Sequence, residues 1–297
     1  MKEDGTIKAK LMLISSMLIF GTIGIFRRAI PLSSAMLAMA RGVLGVLSLL
    51  LLLLALKKKL SLHAIRQNAA RLIVSGVFIG LNWILLFEAY NYTTVAVATL
   101  CYYMAPVFVL LASPLLLGER LSLRKVFCIL LAFAGMALVS GVLQTGGGNT
   151  DFRGVLFGLG AALLYAAVII LNQKIHGIPA YDRTVTQLFA SAATLLPYVL
   201  FTEGLSFAAF TPKVALLVLI VGVLNTGVAY ALYFGSMEKL NAQTVALFGY
   251  IDPIVAILLS AIVLHEKMTP AAVIGTLCVL GATVISELPE RGKTAVK

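Results

Sequence analysis

Long apolar runs, separated by short polar connections, recur along the whole chain. A helix needs about 20 mostly apolar residues to cross the hydrocarbon core of a bilayer. Ten runs come close to that length, at residues 10–27, 33–56, 71–90, 95–117, 123–142, 153–174, 184–202, 213–237, 243–264 and 270–287. We number these predicted spans 1 to 10 in chain order. The pattern predicts an all-α membrane protein with ten transmembrane helices.

One part of the chain occurs twice. Residues 86–122 align with residues 233–269 at a constant offset of 147 and without a gap. The identical pairs are Phe87/Phe234, Leu100/Leu247, Tyr103/Tyr250, Pro106/Pro253, Leu111/Leu258, Ser113/Ser260, Leu117/Leu264 and Glu119/Glu266. Leucine pairs arise easily in such a composition, whereas the Tyr, Pro and Glu pairs in one register do not. An odd number of predicted spans separates the copies, so they should lie upside down relative to each other.

The repeat predicts two inverted halves of five helices each. The best boundary between the halves is the stretch at residues 144–150, which contains three consecutive glycines. We assign residues 1–143 to the first repeat, residues 151–288 to the second and residues 289–297 to a tail. Inverted repeats around a site at the bilayer midplane are a recurring plan of secondary transporters.

The composition agrees with a membrane protein. Of the 297 residues, 61% are hydrophobic and 12% are charged, and the mean hydropathy is +1.02. Soluble domains contain roughly 45–50% apolar and about 25% charged residues. The net charge of +11 would suit nucleic acid, but no groove-reading or base-stacking motif accompanies it. We predict a lipid bilayer as the environment and no nucleic-acid partner.

The distribution of Lys and Arg predicts the orientation. With the N-terminus in the cytoplasm, 17 basic residues fall on the cytoplasmic side and five on the outer side, and Arg41 lies within a span. Basic residues are enriched in cytoplasmic connections. Both termini are therefore predicted to be cytoplasmic, in a multi-pass protein of the cell membrane. No small-residue cleavage site follows the first apolar run, so we interpret that run as a retained span.

The sequence offers no sign of a disulfide framework, a metal site or a cofactor. An odd number of cysteines lies within apolar runs, at Cys101, Cys128 and Cys278. The three histidines lie in connections or at span ends and are not expected to meet the cysteines in a metal site. A Gly-rich phosphate loop is missing as well, so we do not expect ATP to drive the protein.

Both copies of the repeated stretch carry the motif Pro…Leu-x-Glu-(Arg/Lys)-(Leu/Met)-(Ser/Thr), at residues 106–122 and 253–269. Glycine-containing endings follow at Gly135 and Gly281, and predicted span 2 contains Arg41 near its start. These features resemble the EamA repeats of the drug/metabolite transporter superfamily. The resemblance covers nearly the whole chain, although the second half has Gln187 near the place that corresponds to the arginine.

The resemblance implies transport, with export as the expected direction, through a central cavity between the two halves. It does not imply one substrate, because the superfamily carries amino acids, sugars, other metabolites and cationic drugs.

Asp252 is the first candidate site residue. It lies near the middle of predicted span 9, immediately before Pro253, and its repeat mate is Ala105. A carboxylate at this depth costs about 2.5–3.5 kcal/mol on insertion scales, so it should face a cavity or a partner. We interpret Asp252 as a proton or cation site, or as a contact for an amine substrate. The alternative is a structural contact with an arginine or with backbone freed by the proline.

Arg41 and Glu88 are two further ionisable residues within predicted spans. Similar predicted depths make an ion pair between them the first interpretation, with a structural or gating role. Alternatively, Arg41 pairs with Asp252 or contacts a substrate carboxylate. We group Arg41, Glu88 and Asp252 as candidate coupling or gating residues.

Several uncharged polar and aromatic residues are candidate substrate contacts together with Asp252. They are Asn82, Trp83, Tyr90, Tyr103, Asn225, Tyr230 and Tyr250. A buried amide needs a partner, which is either a neighbouring helix or a ligand. Trp83 and Tyr90 are seven residues apart and share a helix face. Tyrosines well inside spans either pack against other helices or line an amphipathic cavity with their ring faces and hydroxyls.

Two residue types of the repeat are expected to shape the helices. Pro106 and Pro253 fall mid-helix, where a proline removes a backbone donor and kinks the helix. Paired kinks would suit helices that move during transport, and the alternative is that they only shape a cavity. Glu119 and Glu266 lie at helix ends, where we expect structural or gating contacts with neighbouring basic residues.

Together these observations predict a monomer-capable secondary transporter of a small amphipathic metabolite, such as an amino acid, an amine or a drug-like compound. Its expected cycle is alternating access around a midplane cavity. The driving force is predicted to be proton exchange or the substrate's own gradient. The alternatives are an uptake or exchange facilitator and a channel. A membrane enzyme is less favoured, because no cluster of catalytic polar residues lies near one membrane interface.

Overall fold

A computed structural model describes residues 2–116, 122–139, 151–203, 210–237, 239–240 and 242–288. The predicted boundary at residues 144–150, the tail at residues 289–297 and Glu119 lie outside these ranges. Every regular element within them is helical. In chain order the helices are α1 (Lys2–Gly21), α2 (Ile23–Ala29), α3 (Ser34–Ala55), α4 (Leu62–Gln67), α5 (Ala69–Tyr92), α6 (Val95–Tyr102), α7 (Ala105–Leu116), α8 (Leu123–Val139), α9 (Phe152–Gln173), α10 (Ala180–Thr202), α11 (Pro212–Gly222), a π-helical segment (Val223–Val228), α12 (Ala229–Met237), α13 (Ala242–Gly249), α14 (Ile251–Ile262) and α15 (Pro270–Glu287).

Seven stretches of helix in the described part of the chain are long and apolar enough to cross a bilayer. They are Thr6–Ala29, Ser34–Ala55, Ala69–Tyr92, Val95–Leu116, Phe152–Gln173, Ala180–Thr202 and Pro212–Met237. α14 and α15 are apolar but shorter. Large apolar side chains such as Leu115 and Phe201 are both 89% exposed on the periphery, as lipid-facing residues are. The chain is thus an all-helical multi-pass membrane protein, as predicted, whereas the number of ten spans stays a prediction.

Polar side chains fix where several of these helices begin. Ser33, Thr94, Thr211 and Thr269 each precede a helix and accept a hydrogen bond from the backbone N–H three residues later. Such N-caps satisfy one of the free donors of the first helical turn. The cap at Thr94 lets the chain reverse between α5 and α6 within a very short connection.

The two copies of the repeat are interrupted at equivalent places. α6 ends at Tyr102 and α7 begins at Ala105, whereas α13 ends at Gly249 and α14 begins at Ile251. Pro106 and Pro253 follow these interruptions. A proline lacks the N–H of a regular helix, and its ring collides with the carbonyl four residues earlier. That carbonyl belongs to the last residue of α6 in the first copy and of α13 in the second, so the proline accounts for each break.

Helix packing follows the same correspondence. α5 packs on α9, and its counterpart α12 packs on α1. α7 packs on α9 as α14 packs on α1, and α5 packs on α10 as the π-helical segment packs on α3. α8 also packs on α15, and α3 packs on α10; in each pair the two helices occupy corresponding places in the two predicted halves. The helix contacts of one half are therefore matched by corresponding contacts of the other.

Contacts at the two ends of the bundle give the helix directions. Glu266, which follows α14, accepts a hydrogen bond from the backbone N–H of Val95 at the start of α6 (2.8 Å). Corresponding segments of the two copies therefore run in opposite directions. At the opposite end, the backbone N–H of Ser61 donates to Asp182 at the start of α10 (2.8 Å). We call these the Glu266 end and the Asp182 end.

Candidate functional site

The interruptions of the two copies meet at a carboxylate. Asp252 lies in the first turn of α14 and accepts a hydrogen bond from the hydroxyl of Tyr103, which lies in the break between α6 and α7 (2.7 Å). Both side chains are half-buried. Tyr103 supplies the only hydrogen bond to Asp252 within the described residues, and it reaches one carboxylate oxygen. The other carboxylate oxygen is not fully buried, so it keeps some accessible surface.

Arg41 lies on α3 with its side chain 6% exposed. Its Nε donates a hydrogen bond to the hydroxyl of Thr226 (2.9 Å), and its Cζ lies 4.2 Å from the centroid of the Trp83 ring. Thr226 belongs to the π-helical segment, where its hydroxyl donates to the carbonyl of Val221, five residues earlier (3.2 Å). Arg41 is therefore held by a neutral hydroxyl on one helix and by an aromatic face on another.

The arginine and the aspartate belong to one electrostatic environment. Asp252, Tyr90, Tyr102 and Tyr230 all lie close enough to Arg41 to interact with it electrostatically. Arg41 nevertheless forms no ion pair with Asp252, or with any other acidic side chain that the structure describes. We define the central cluster as Arg41, Trp83, Tyr102, Tyr103, Thr226, Tyr230 and Asp252.

Aromatic rings extend the central cluster on both sides. Tyr102 stacks on Tyr165 with ring centroids 5.2 Å apart. Tyr230 contacts Phe20 edge-on at 5.3 Å and stacks on Phe234 at 5.8 Å. Tyr102 and Tyr230 are half-buried and Tyr165 is 38% exposed. The ring faces, the hydroxyls and the two opposite charges of this group form the candidate binding site.

Other predicted site residues have different surroundings. Asn82 donates to the carbonyl of Ala161 (2.5 Å) and joins α5 to α9. Asn225 donates to the carbonyl of Ile19 (2.6 Å) and to the hydroxyl of Thr22 (2.8 Å), where α1 gives way to α2. In this conformation both amides connect helices through backbone carbonyls, and a role in substrate binding stays a prediction.

The structure separates Glu88 from Arg41, so the predicted ion pair between them is not formed. Glu88 accepts a hydrogen bond from Asn91 (3.3 Å) and lies close to Arg27. Arg41 instead contacts Trp83, five residues earlier on the same helix as Glu88. Five residues correspond to about 7.5 Å along a helix, and the sequence-based depths were not accurate enough to resolve that difference.

The two remaining predicted tyrosines are almost fully buried. Tyr90 is 2% exposed, and its hydroxyl lies 3.4 Å from that of Thr99. Tyr250 is 9% exposed and occupies the break between α13 and α14. Tyr90 thus lies beside the central cluster, and Tyr250 lies in the helix interruption two residues before Asp252.

Glu266 links three helices at its end of the bundle. Its carboxylate accepts hydrogen bonds from Arg28 (3.0 Å), from the backbone of Val95 (2.8 Å) and from Ser260 (2.5 Å). His265, directly before it, has a φ of 53°, a left-handed conformation that is unfavourable for a residue with a side chain. That turn directs the chain after α14 back over the start of α6. We call Arg28, Val95, Ser260 and Glu266 the end latch.

Sequence reasoning missed Thr226, Phe20 and the partners of Glu266. Thr226 stands in the polar Asn-Thr-Gly triplet of an otherwise apolar run, which was a usable signal. Phe20 carries no such signal, because a phenylalanine in an apolar run is ordinary. No group of three or more His, Cys, Asp and Glu side chains that could hold a metal ion occurs among the residues that the structure covers.

Comparison with known proteins assigns the chain to a family. The sequence profile of the "EamA-like transporter family" matches residues 7–141 and again residues 152–287. The protein named "Uncharacterized transporter YxxF" from Bacillus subtilis (strain 168) is 27% identical, over 100% of this chain and 96% of that relative. "Protein PecM" from Dickeya dadantii (strain 3937) is 25% identical, over 72% of each chain.

A solved crystal structure shares the fold. Its TM-score is 0.67 at 19% sequence identity, over 94% of this chain and 96% of the other. The profile matches confirm the resemblance that the repeated motif indicated. The chain belongs to the EamA-like transporter family and is a membrane transporter, not an enzyme.

Proposed function

We propose that this protein is a secondary transporter that exports a small, amphipathic, amine-bearing metabolite by alternating access. In this proposal ten membrane-spanning helices form two inverted five-helix repeats, residues 1–143 and 151–288. Both termini, including the tail at residues 289–297, lie in the cytoplasm. The matched packing of corresponding helices and their opposite directions support this architecture.

The contact between Asp252 and Tyr103 carries the proposal. It lies between the two copies, where both helices are interrupted, and it holds an ionisable group inside the bundle. Ionisable residues at such depth usually mark substrate or ion pathways. The carboxylate would bind the ammonium group of the substrate, while the rings of Tyr102, Tyr165 and Tyr230 would hold its apolar part.

Alternating access requires the protein to change between inward-open and outward-open conformations. This change would occur at the helix breaks at Tyr103 and Tyr250 and at the end latch. In the conformation described here, the end latch connects α2 and α6 of the first copy to the residues after α14 of the second. Opening the Glu266 end requires these contacts to separate. The helix breaks are the places where α7 and α14 can change direction without loss of regular helical hydrogen bonds.

Two driving forces remain in the proposal, proton exchange at Asp252 and the gradient of the substrate itself. The charged or titratable groups around Asp252 come from several helices, and each of them would shape its pH response. They are Arg41, Tyr90, Tyr102, Tyr103, Tyr165 and Tyr230.

Counterflow in proteoliposomes tests the proposal. Vesicles loaded with an unlabelled amine or amino acid should accumulate the labelled compound transiently, because a carrier exchanges substrate while its other gate is closed. A channel would only equilibrate the label. Uptake without stimulation by internal substrate would reject the alternating-access carrier. Inside-out and right-side-out vesicles then give the direction, because an exporter should work faster when substrate starts on the cytoplasmic face.

A further inference from the structure

Arg41 has hydrogen-bonding capacity that the protein does not use. Its Nε is bound to Thr226 and one face of its guanidinium lies on Trp83. Its two terminal nitrogens have no partner among the described residues. Neither terminal nitrogen is fully buried, so both keep some accessible surface. A side chain that is 94% buried therefore keeps unused donors within the central cluster.

Arg41 also forms no ion pair with an acidic side chain in the part of the chain that the structure describes. Opposite charges attract strongly where the dielectric constant is low, and Asp252 lies within electrostatic range. The two side chains are nevertheless held apart, Arg41 by Thr226 and Asp252 by Tyr103. The central cluster thus contains a cationic and an anionic group, each with free bonding capacity and with a separate neutral anchor.

We infer that the terminal nitrogens of Arg41 form an anion subsite that binds a carboxylate of the substrate, opposite the ammonium subsite at Asp252. The substrate class is then a zwitterion with an apolar or aromatic side chain, and not a simple amine or a cationic drug. Arginine binds carboxylates through two parallel hydrogen bonds, which its two free terminal nitrogens can supply. This inference rests on the proposed transport function and narrows its substrate.

Two matched sets of compounds separate the subsites. One set is L-phenylalanine, phenethylamine and 3-phenylpropanoate, and the other is L-leucine, 3-methylbutylamine and 4-methylpentanoate. Each set contains a zwitterion, the same skeleton with the amine alone, and the same skeleton with the carboxylate alone. Counterflow and the rise in melting temperature are measured for all six. The wild-type protein should prefer the zwitterion in at least one set.

Arg41→Gln should abolish this preference. A lost hydrogen bond to a charged group corresponds to a roughly 10- to 100-fold weaker apparent affinity for the zwitterion, so the ratio of the affinities for the zwitterion and for the amine should fall by at least about tenfold. Arg153→Gln is the matched control, because Arg153 also lies over a tyrosine ring (6.0 Å) but is exposed and outside the central cluster. If Arg41→Gln does not fold, Arg41→Lys provides the test, because it keeps the charge and loses the two-pronged donor.

The outcomes distinguish this inference from the proposed function. Counterflow of the amines but not of the zwitterions, or an unchanged preference in Arg41→Gln or Arg41→Lys, would overturn the anion subsite and leave the carrier intact. Failure of all six compounds to bind and exchange would also overturn it. Label that equilibrates without stimulation by internal substrate would instead reject the carrier itself.

Discussion

At the scale of single residues, the interior contains polar groups of two kinds. Asn82 and Asn225 each donate to a backbone carbonyl of another helix, so the fold uses their amide N–H groups, although the Oδ1 of Asn225 is buried without a partner among the described residues. Asp252 and Arg41 each keep free bonding capacity beside accessible surface. We therefore expect a structural role for the first pair and propose substrate contacts for the second.

Replacement of Asn82 by Leu should lower stability more than transport. It removes the hydrogen bond to Ala161 between α5 and α9, which is worth about 0.6–2 kcal/mol for interhelical bonds in membranes. Unfolding of the purified protein in denaturing detergent measures the loss, with Leu81→Ala at the neighbouring exposed position as the control. A loss of substrate affinity with unchanged unfolding would instead assign Asn82 to the binding site.

Replacement of Asp252 by Asn should slow exchange of amine-bearing substrates at least about tenfold, because a charge-assisted contact is lost. The side chain keeps its shape and can still accept the hydrogen bond from Tyr103. Tyr103→Phe is the companion variant, because it removes the donor and keeps the charge, and it should have the smaller effect. Exchange rates are measured across pH, and a full rate with unchanged pH dependence in Asp252→Asn would exclude a role for this carboxylate in coupling.

At the scale of helices, the prolines of the repeat explain why two predicted spans consist of two pieces. The apolar pattern gave continuous runs at residues 95–117 and 243–264, and both are interrupted in the structure. Sequence reasoning placed Pro106 and Pro253 mid-helix but did not place the breaks at Tyr103 and Tyr250. The carbonyl that a proline displaces lies four residues earlier, so the break appears before the proline and not at it.

Pro253→Ala should raise stability and reduce turnover. The substitution restores a backbone donor and removes the clash with the carbonyl of Gly249, so α13 and α14 can join in one helix. Pro270→Ala is the matched control, because Pro270 occupies the first turn of α15, where proline is tolerated. Melting temperature and exchange rate are measured on both, and a Pro253→Ala protein with normal turnover would show that the break is not needed for transport.

Glu266→Gln should loosen the end latch. The change removes the ion pair with Arg28 and weakens the cap on α6. We expect faster reaction of an impermeant thiol reagent with a cysteine placed at Phe20, which contacts Tyr230 in the interior. Lys267→Gln, a charge change at the adjacent exposed residue, should leave the labelling rate unchanged. Equal rates in all three proteins would contradict a latch.

At the scale of the whole molecule, much of the architecture followed from local patterns. Apolar runs gave helices, and the paired Tyr, Pro and Glu residues gave two copies with corresponding breaks. The partners of Arg41 could not be obtained in this way, because they depend on how α3, α5 and the π-helical segment are rotated against each other. A depth estimate placed Glu88 beside Arg41, and the structure places Trp83 there.

The proposed topology predicts opposite labelling of the two ends of the bundle. In a protein whose native cysteines are replaced, Lys267→Cys at the Glu266 end should react with an impermeant reagent in intact cells. Lys58→Cys at the Asp182 end should react only after permeabilisation. Both residues are exposed, so access to reagent depends on the side of the membrane. Labelling of both positions from one side would rule out the inverted arrangement of the repeats.

The π-helical segment has a consequence for how this transporter tolerates length changes. A π-helical turn holds one surplus residue compared with regular winding. Deletion of a single residue between Val223 and Val228 would let this turn wind regularly and would leave the later side chains of α12 in register, whereas the same deletion in a regular α-helix turns every later side chain by about 100°. Tyr230 would then keep its ring contacts with Phe20 and Phe234. The π-helical segment is therefore a place in this wall of the site where the chain can lose one residue without displacing the aromatic rings.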